Sequence, residues 1–369
     1  MRISLISMLV FAFLYAETYT QIMNEKYASL IHTVQHNSHI ADARHAGNFT
    51  LCVYLLKMRE FYRWEQNIDY QKELTNDDVG DWLVQREGLW DDVEDEAFKS
   101  LVIDGVDYDP FDSEAINAIL HDKKLVYSAG LGNQCRPHFF IAQLEQKIQQ
   151  DDYTILISNK EYARDIASPP AMQQGNTIYI RRESLRQILW EKVDEWRWIR
   201  TDSPLGRSIG YYDFDSNIET ALDDMLNAEM KMVIAHEIGE VMAGKEWGEP
   251  WQDMLASLPR SKAEIMLRAI RDHYADAVST LPALIKLGNP ASIHFYFANM
   301  TAMRKELAPT LMEAYDVWHS EGSLYQLDAL IPRLLEHWQS LANNLLKLHL
   351  GQEKNIEAGI ESLVNKSYF

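Results

Sequence analysis

The sequence predicts an α+β fold, a mainly helical body with one small, mostly antiparallel sheet inserted in its first half. Three observations carry that expectation. Apolar residues recur at helical spacing through most of the chain, above all after Glu183. Between residues 124 and 181 the period changes, and "KLVYSAG", "PHFFIAQLEQKI", "DYTILISN" and "NTIYIRR" read as β-branched or aromatic runs separated by turn residues. At 369 residues, with 47% hydrophobic and 24% charged side chains, the composition is globular and sufficient for a sizeable core.

The elements follow in order. Residues 1–22 form an apolar extension with one Arg, an apolar run from Ile3 to Tyr15 and Ala16 as a candidate cleavage position. This resembles a secretory signal peptide and is shorter than a membrane span. Leu14, however, stands where such a site wants a small residue, and Met23 opens a soluble helix. The extension therefore reads as a mis-assigned start, which places the protein in the cytoplasm; export is the alternative. Two helices are expected over residues 24–66, the first stopping at Gly47 and the second, "NFTLCVYLLKMREFYRWEQ", largely buried. An acidic, Trp-containing stretch follows, then a hairpin on Asp104-Gly105 and a short helix capped by Asp112 or Ser113. After the strands, "RRESLRQILWEKVDEWRW" begins a nearly all-helical remainder, broken at "TDSPLGRS", "GKEWGEPW", "LGNPAS" and "SEGS". The domain reading is an N-terminal α+β region over 23–200 and a C-terminal helical region over 201–369 packed against it.

A formal net charge of −20 argues against nucleic acid as a partner, because phosphate contacts need a basic face. A small-molecule substrate suits it better. No segment after the extension is apolar enough for stable membrane insertion, and no signal specifies an oligomeric state. Cys52 and Cys135, without a CxxC or Cys/His cluster, read as reduced thiols.

Two helices carry the candidate chemistry. In "MVIAHEIGEVMAG" a rotation of roughly 100° per residue places Met230, Ile234, Ile238, Val241 and Met242 on an apolar side. Ala235, Gly239 and Ala243 form a small-residue side, where close approach of another element explains the glycine. His236, Glu237 and Glu240 share the remaining arc. In "AEIMLRAIRDHYADAVSTLP", His273 and Asp276 lie between an apolar face and a wet one, and Asp272 reads as the i,i+4 partner of Arg268. His236, Glu240, His273 and Asp276 are therefore the expected metal ligands, with Glu237 as ligand or general base. Burying so many acids without a cation would be costly. The bland reading of the same strip is the solvent face of a helix.

The mixed His/carboxylate set suits Fe or Mn at least as well as Zn. Glu240 in place of a second His argues against a zinc protease of the His-Glu-x-x-His type. "HEIGE" also resembles the His-Asp segment of helical phosphohydrolases, with Glu for Asp and no isolated upstream His. Carboxylate-bridged di-iron bundles need Glu-x-x-His repeats that the chain lacks. Farther upstream, His32, His36 and His39 share one arc and read as a solvated stripe. Asp42 and His45 fall on the apolar side and are candidate catalytic groups, Asp42 needing Arg44 or a metal as partner. Arg181 and Arg182 are a candidate cofactor-binding pair for a carboxylate or phosphate, with a neighbouring acid as the simpler partner.

The segments "QHNSHIADARHAGNFTLC", "MREFYRWE", "YDPFD", "RRESLRQ", "HEIGE" and "RDHYADAVSTLP" together resemble an uncharacterised bacterial family, a domain of unknown function, over residues 29 to 315. The resemblance implies a bacterial source and a start near Met23, and supplies no activity. Two functions stand open on this reading. One is a soluble metal-dependent enzyme, first a hydrolase of a phosphorylated or amide-containing metabolite and second an oxygen-dependent enzyme. The other is a non-catalytic scaffold or assembly protein without a metal, using its Trp-rich helices.

Overall fold

The computed structural model describes residues 26–132, 136–351 and 355–369. The apolar extension and Cys135 lie outside them. The fold is mainly helical α+β, and it divides into two compact units. The first comprises residues up to Gln149, Thr154–Pro170 and Arg181–Ser184; the second comprises Gln150–Tyr153, Ala171–Ile180 and Leu185–Phe369.

In the first unit, helices α1 (Ala28–His45), α2 (Leu51–Glu65) and α3 (Asn76–Val93) precede a hairpin, β1 (Leu101–Ile103) and β2 (Val106–Tyr108). Asp104 and Gly105 turn that hairpin with φ of 51° and 82°, the left-handed pair a two-residue turn requires. Helix α4 (Ser113–Leu120) starts where the Asp112 side chain accepts from the Ala115 amide. Strands β3 (Leu125–Leu131), β4 (Pro137–Gln149) and β5 (Thr154–Ala163) then pair antiparallel, with register shifts in β4 between Ile141 and Gln146. Val34, Ala41, Ile116, Tyr127, Phe139 and Ile141 share one core beneath them. So there is a separate two-stranded sheet besides the larger one, where the sequence suggested a single sheet.

One expectation fails in α2. Leu51, Val53, Leu55 and Leu56 are exposed, Leu51 by 70%. Only the second half of the helix, through Met58 and Phe61, is buried, so high apolar content without a helical stripe misreported its burial.

The second unit contains the hairpin β6 (Ala171–Gln174) and β7 (Thr177–Arg181, whose last residue belongs to the first unit). Helix α5 (Arg182–Ile199) begins in the first unit and continues into the second, followed by α6 (Pro204–Ile209). Helix α7 (Ile218–Ala256) is two helical segments joined at Gly248, whose φ of 56° and ψ of −146° break the helix just before Pro250. Helix α8 (Lys262–Ala275) passes into a π turn (Asp276–Thr280), in which the Leu281 amide reaches back to the Asp276 carbonyl. Pro282 has no amide for the carbonyl four residues earlier, so an irregular turn at this point leaves one less unmet bond than a regular helix would. The remaining helices are α9 (Leu281–Leu287), α10 (Pro290–Asn299), α11 (Ala302–Leu307), α12 (Pro309–Glu321), α13 (Tyr325–Leu350) and α14 (Ile356–Val364). Their core runs from Trp247 and Trp251 through Ile270 and Phe297 to Trp338 and Leu345. No described helix is long and apolar enough to cross a membrane.

Among the described glycines, Gly239 has the tightest surroundings. A Cβ there would stand 2.2 Å from the Ala275 carbonyl oxygen and 2.7 Å from its carbon, so α7 and α8 cross with no room for a methyl group. Gly244, one turn on, has nothing within 4 Å of its would-be Cβ. The pair makes a test by thermal unfolding. Gly244→Ala should stabilise by up to about 1 kcal/mol, the helix-propensity gain. Gly239→Ala should destabilise by about 1–3 kcal/mol, because backbone must move to admit the methyl group. Equal effects would show that the helices do not depend on this contact.

Candidate metal centre

Where α7 meets α8, side chains from both helices converge. His236, Glu240 and Asp272 each offer one ligand atom, and these atoms all lie within 4.8 Å of one another. His236 and Glu240 sit one turn apart on α7, while Asp272 comes from α8 one turn before the π turn. The helix contact at Gly239 is what brings the two sets together.

Asp276 does not join that trio; it holds His236. Its Oδ1 accepts from His236 Nδ1 at 2.9 Å. Its Oδ2 accepts from the Tyr296 hydroxyl on α10 at 2.9 Å and from the Arg304 guanidinium on α11. Burial would raise the Asp276 carboxyl, but Arg304 and then His236 outweigh it and hold the group far below the usual carboxylate range. An ionised carboxylate can only accept, so His236 must donate from Nδ1. The neutral ring then carries its lone pair on Nε2, the orientation that carboxylates impose on metal-binding imidazoles. Burial also disfavours charge on His236, yet Asp276, with Glu240 and Asp272, raises the ring's pKa to about 9.

Glu240 is half satisfied. Arg271 NH2 on α8 meets its Oε2 at 2.7 Å, while Oε1 is buried without a hydrogen-bond partner. Burial raises the carboxyls of both Glu240 and Asp272. Glu237, next to His236, is half-buried, and its carboxyl makes no hydrogen bond among the described residues. Burial lifts its carboxyl to about 7 against the pull of His236. Counted formally, four carboxylates (Glu237, Glu240, Asp272, Asp276) face two guanidiniums (Arg271, Arg304). With His236 neutral, as a ligand would be, the excess is two negative charges; the raised pKa of His236 lets a proton offset one of them without an ion.

The sequence-predicted residues are thus only partly brought together. His236 and Glu240 converge as expected, but His273 turns away. It is buried, its Nε2 bonds the Arg304 carbonyl at 2.9 Å, and its ring stacks on Trp338 at 4.5 Å. The reason is helical rotation: Asp272 and Asp276 stand four residues apart on one line, and His273 is rotated from that line into the core. Asp272 takes the place assigned to His273. Its supposed partner Arg268 instead pairs with Glu264 at 2.5 Å. The i,i+4 spacing of Asp272 and Asp276 was the available signal. Tyr296 and Arg304 arrive from later helices and carry none.

The candidates of the first unit are accounted for there. Asp42 is fully buried; Arg136 bonds it at 2.6 Å and the Ile166 amide at 3.0 Å, while Arg44 turns to the Glu94 and Glu96 carbonyls. Burial, then Asp165, raises its carboxyl to about 8. His45 is half-buried, and burial, then Arg136, lowers its ring. Arg181 is no anion site: it is wholly buried and grips Glu161 at 2.7 and 2.9 Å, while Arg182 pairs with Glu145 at 3.3 Å. The histidine stripe divides. His32 is exposed and His36 pairs with Glu96, but His39 is buried and takes Arg86 at 2.7 Å.

The His236–Asp276 pair predicts a pH dependence in chelator-treated protein. A raised folded-state pKa stabilises fully below the ordinary value of 6.5 and is lost as pH rises through about 9. The wild-type advantage over His236→Gln in thermal midpoint should therefore shrink from about pH 6 to about pH 9.5. An advantage that grows with pH would contradict a charged pair.

The chain matches the model described as Family of unknown function (DUF6866) N-terminal domain over residues 29–181, and the C-terminal domain of the same family over residues 186–367. Comparison with curated proteins and with solved structures finds no match. With both domain models matched in succession over most of its length, the chain belongs to this family of unknown function.

Proposed function

We propose that the second unit is a divalent-metal-dependent hydrolase acting on a small metabolite. The convergence of His236, Glu240 and Asp272, with the imidazole held by Asp276, carries the reading. In it these three residues are the metal ligands, Asp276 is the positioning residue behind His236, and Glu237 is the general base. One nitrogen and two carboxylate ligands suit Mn, Fe or Zn. A bound ion would polarise a carbonyl or phosphoryl group and acidify water. Glu237, with a carboxyl near neutrality and no competing partner, is matched to accepting the proton that the water gives up. Tyr296 and Arg304 keep Asp276 ionised, which fixes a proton on Nδ1 of His236 and leaves Nε2 as the nitrogen from which an ion would displace the other proton.

A second reading has its own observation. The exposed Leu51, Val53, Leu55 and Leu56 on α2 are more apolar surface than a single helix usually leaves to solvent, and they suit an assembly protein. Metal analysis separates the two.

Protein produced with ample Mn, Fe and Zn should hold close to one equivalent of one of them. His236→Ala should lose the metal and lower the thermal midpoint well beyond His32→Ala, a change at an exposed site expected to shift stability by no more than about 0.5 kcal/mol. Wild-type protein without stoichiometric metal, or equal small effects in both variants, would leave the cluster as a helix face.

For the chemistry, Glu237→Gln should keep the metal and lose hydrolysis of phosphate-ester, carboxylate-ester and amide model substrates by about 100-fold or more, the scale of general-base loss. Unchanged rates with metal bound would remove Glu237 from the mechanism.

A further inference from the structure

We infer that Arg271 is the substrate-recognition residue of this site and that the substrate carries an oxyanion, a carboxylate or phosphate group. The inference rests on the metal reading above and adds a ligand class to it.

Arg271 differs from the other cation at the site. Arg304 is committed inward, to Asp276 and Tyr296, and its Nε is sealed from solvent. Arg271 commits one nitrogen, NH2, to Glu240: to Oε2 at 2.7 Å and to the backbone carbonyl at 3.4 Å. Its Nε and NH1 make no hydrogen bond among the described residues, and the side chain keeps 19% exposure. A guanidinium anchored through one nitrogen holds its other N–H groups in fixed directions; Nε–H and the NH1 hydrogens lie on different edges of the plane, so each offers an oxyanion its own charge-assisted bond.

Its position gives that capacity a use. Arg271 adjoins the ligand Asp272 in sequence and bonds the ligand Glu240, leaving Oε1 of Glu240 for an ion. An anion on Arg271 would therefore lie beside the candidate ligands Glu240 and Asp272. Without an ion, Glu237, Glu240 and Asp272 would repel the same anion. Metal and anion should then bind with positive coupling, each strengthening the other.

The test uses the full chain, with inorganic phosphate and acetate as probes in calorimetric titrations, with and without Mn(II). Mn(II) binding is measured separately by electron paramagnetic resonance. At least one anion should bind at a single site in the Mn(II)-loaded protein, more weakly in the chelated protein, and the tighter probe identifies the substrate's anionic group. Arg271→Gln should retain Mn(II) and weaken anion binding about tenfold or more, as loss of a charge-assisted pair does. Arg271→Lys, which keeps the charge on Glu240 but not the fixed planar donors, should weaken it about threefold and decides the matter if Arg271→Gln releases Mn(II). Mn(II) bound with neither anion binding, or with equal anion affinity in wild type and both variants, would overturn the assignment and leave the metal site standing. No Mn(II) binding in the wild type would remove the metal reading and this inference together.

Discussion

The crossing of α7 and α8 at Gly239 and Ala275 is the constraint on which the candidate site depends. A hydrogen atom is all that fits between the Gly239 Cα and the Ala275 carbonyl. That contact sets the separation of the helices at the level where His236 and Glu240 face Asp272, and a methyl group in the gap would force the ligand atoms apart. The π turn begins immediately after Ala275, so the same contact also fixes where Asp276 enters beneath His236. A helix-interior glycine costs roughly 1 kcal/mol relative to alanine. Here the cost is offset by packing that places groups from two helices within 4.8 Å of each other.

Buried charge is handled differently in the two units. In the first, Glu161 is closed: Arg181 bonds both oxygens, Ser184 adds a third bond at 2.9 Å, and Arg181 rests on the Phe140 ring at 4.3 Å. Burial would raise the Glu161 carboxyl, but Arg181 more than compensates and keeps it ionised. Such a pair is expensive to break, about 3–5 kcal/mol, and offers nothing to a ligand. In the second unit Asp276 is the buried acid treated this way among the described residues. Glu240 has one oxygen without a partner, and Glu237 has none of its own, so their carboxyls are raised rather than stabilised as anions. Acids with unsatisfied oxygens thus stand beside one that is fully satisfied.

Much of this was legible in the sequence by itself. Local rules determined the hairpin on Asp104-Gly105, the Asp112 cap, the change of period from helix to strand and the break near Gly248 and Pro250, because each depends on backbone preferences of a few adjacent residues. The small-residue side of α7 foretold a close approach at Gly239, and the polar strip beside it placed His236 and Glu240 on one arc. Tertiary structure alone decided the rest. Whether α8 offered His273 or Asp272 turned on about 100° of rotation, which Trp338, stacked on the His273 ring, settles from a helix far along the chain. Arg181 chose Glu161, Asp42 chose Arg136, and Asp276 drew Tyr296 and Arg304, partners separated by 20 to 94 residues in pairs that no spacing announces. Ion pairs and ring contacts depend on which distant surfaces meet, and a periodic pattern records only that a face is apolar, not what covers it. For that reason the apolar first half of α2 could be read as buried, while the fold leaves it in solvent.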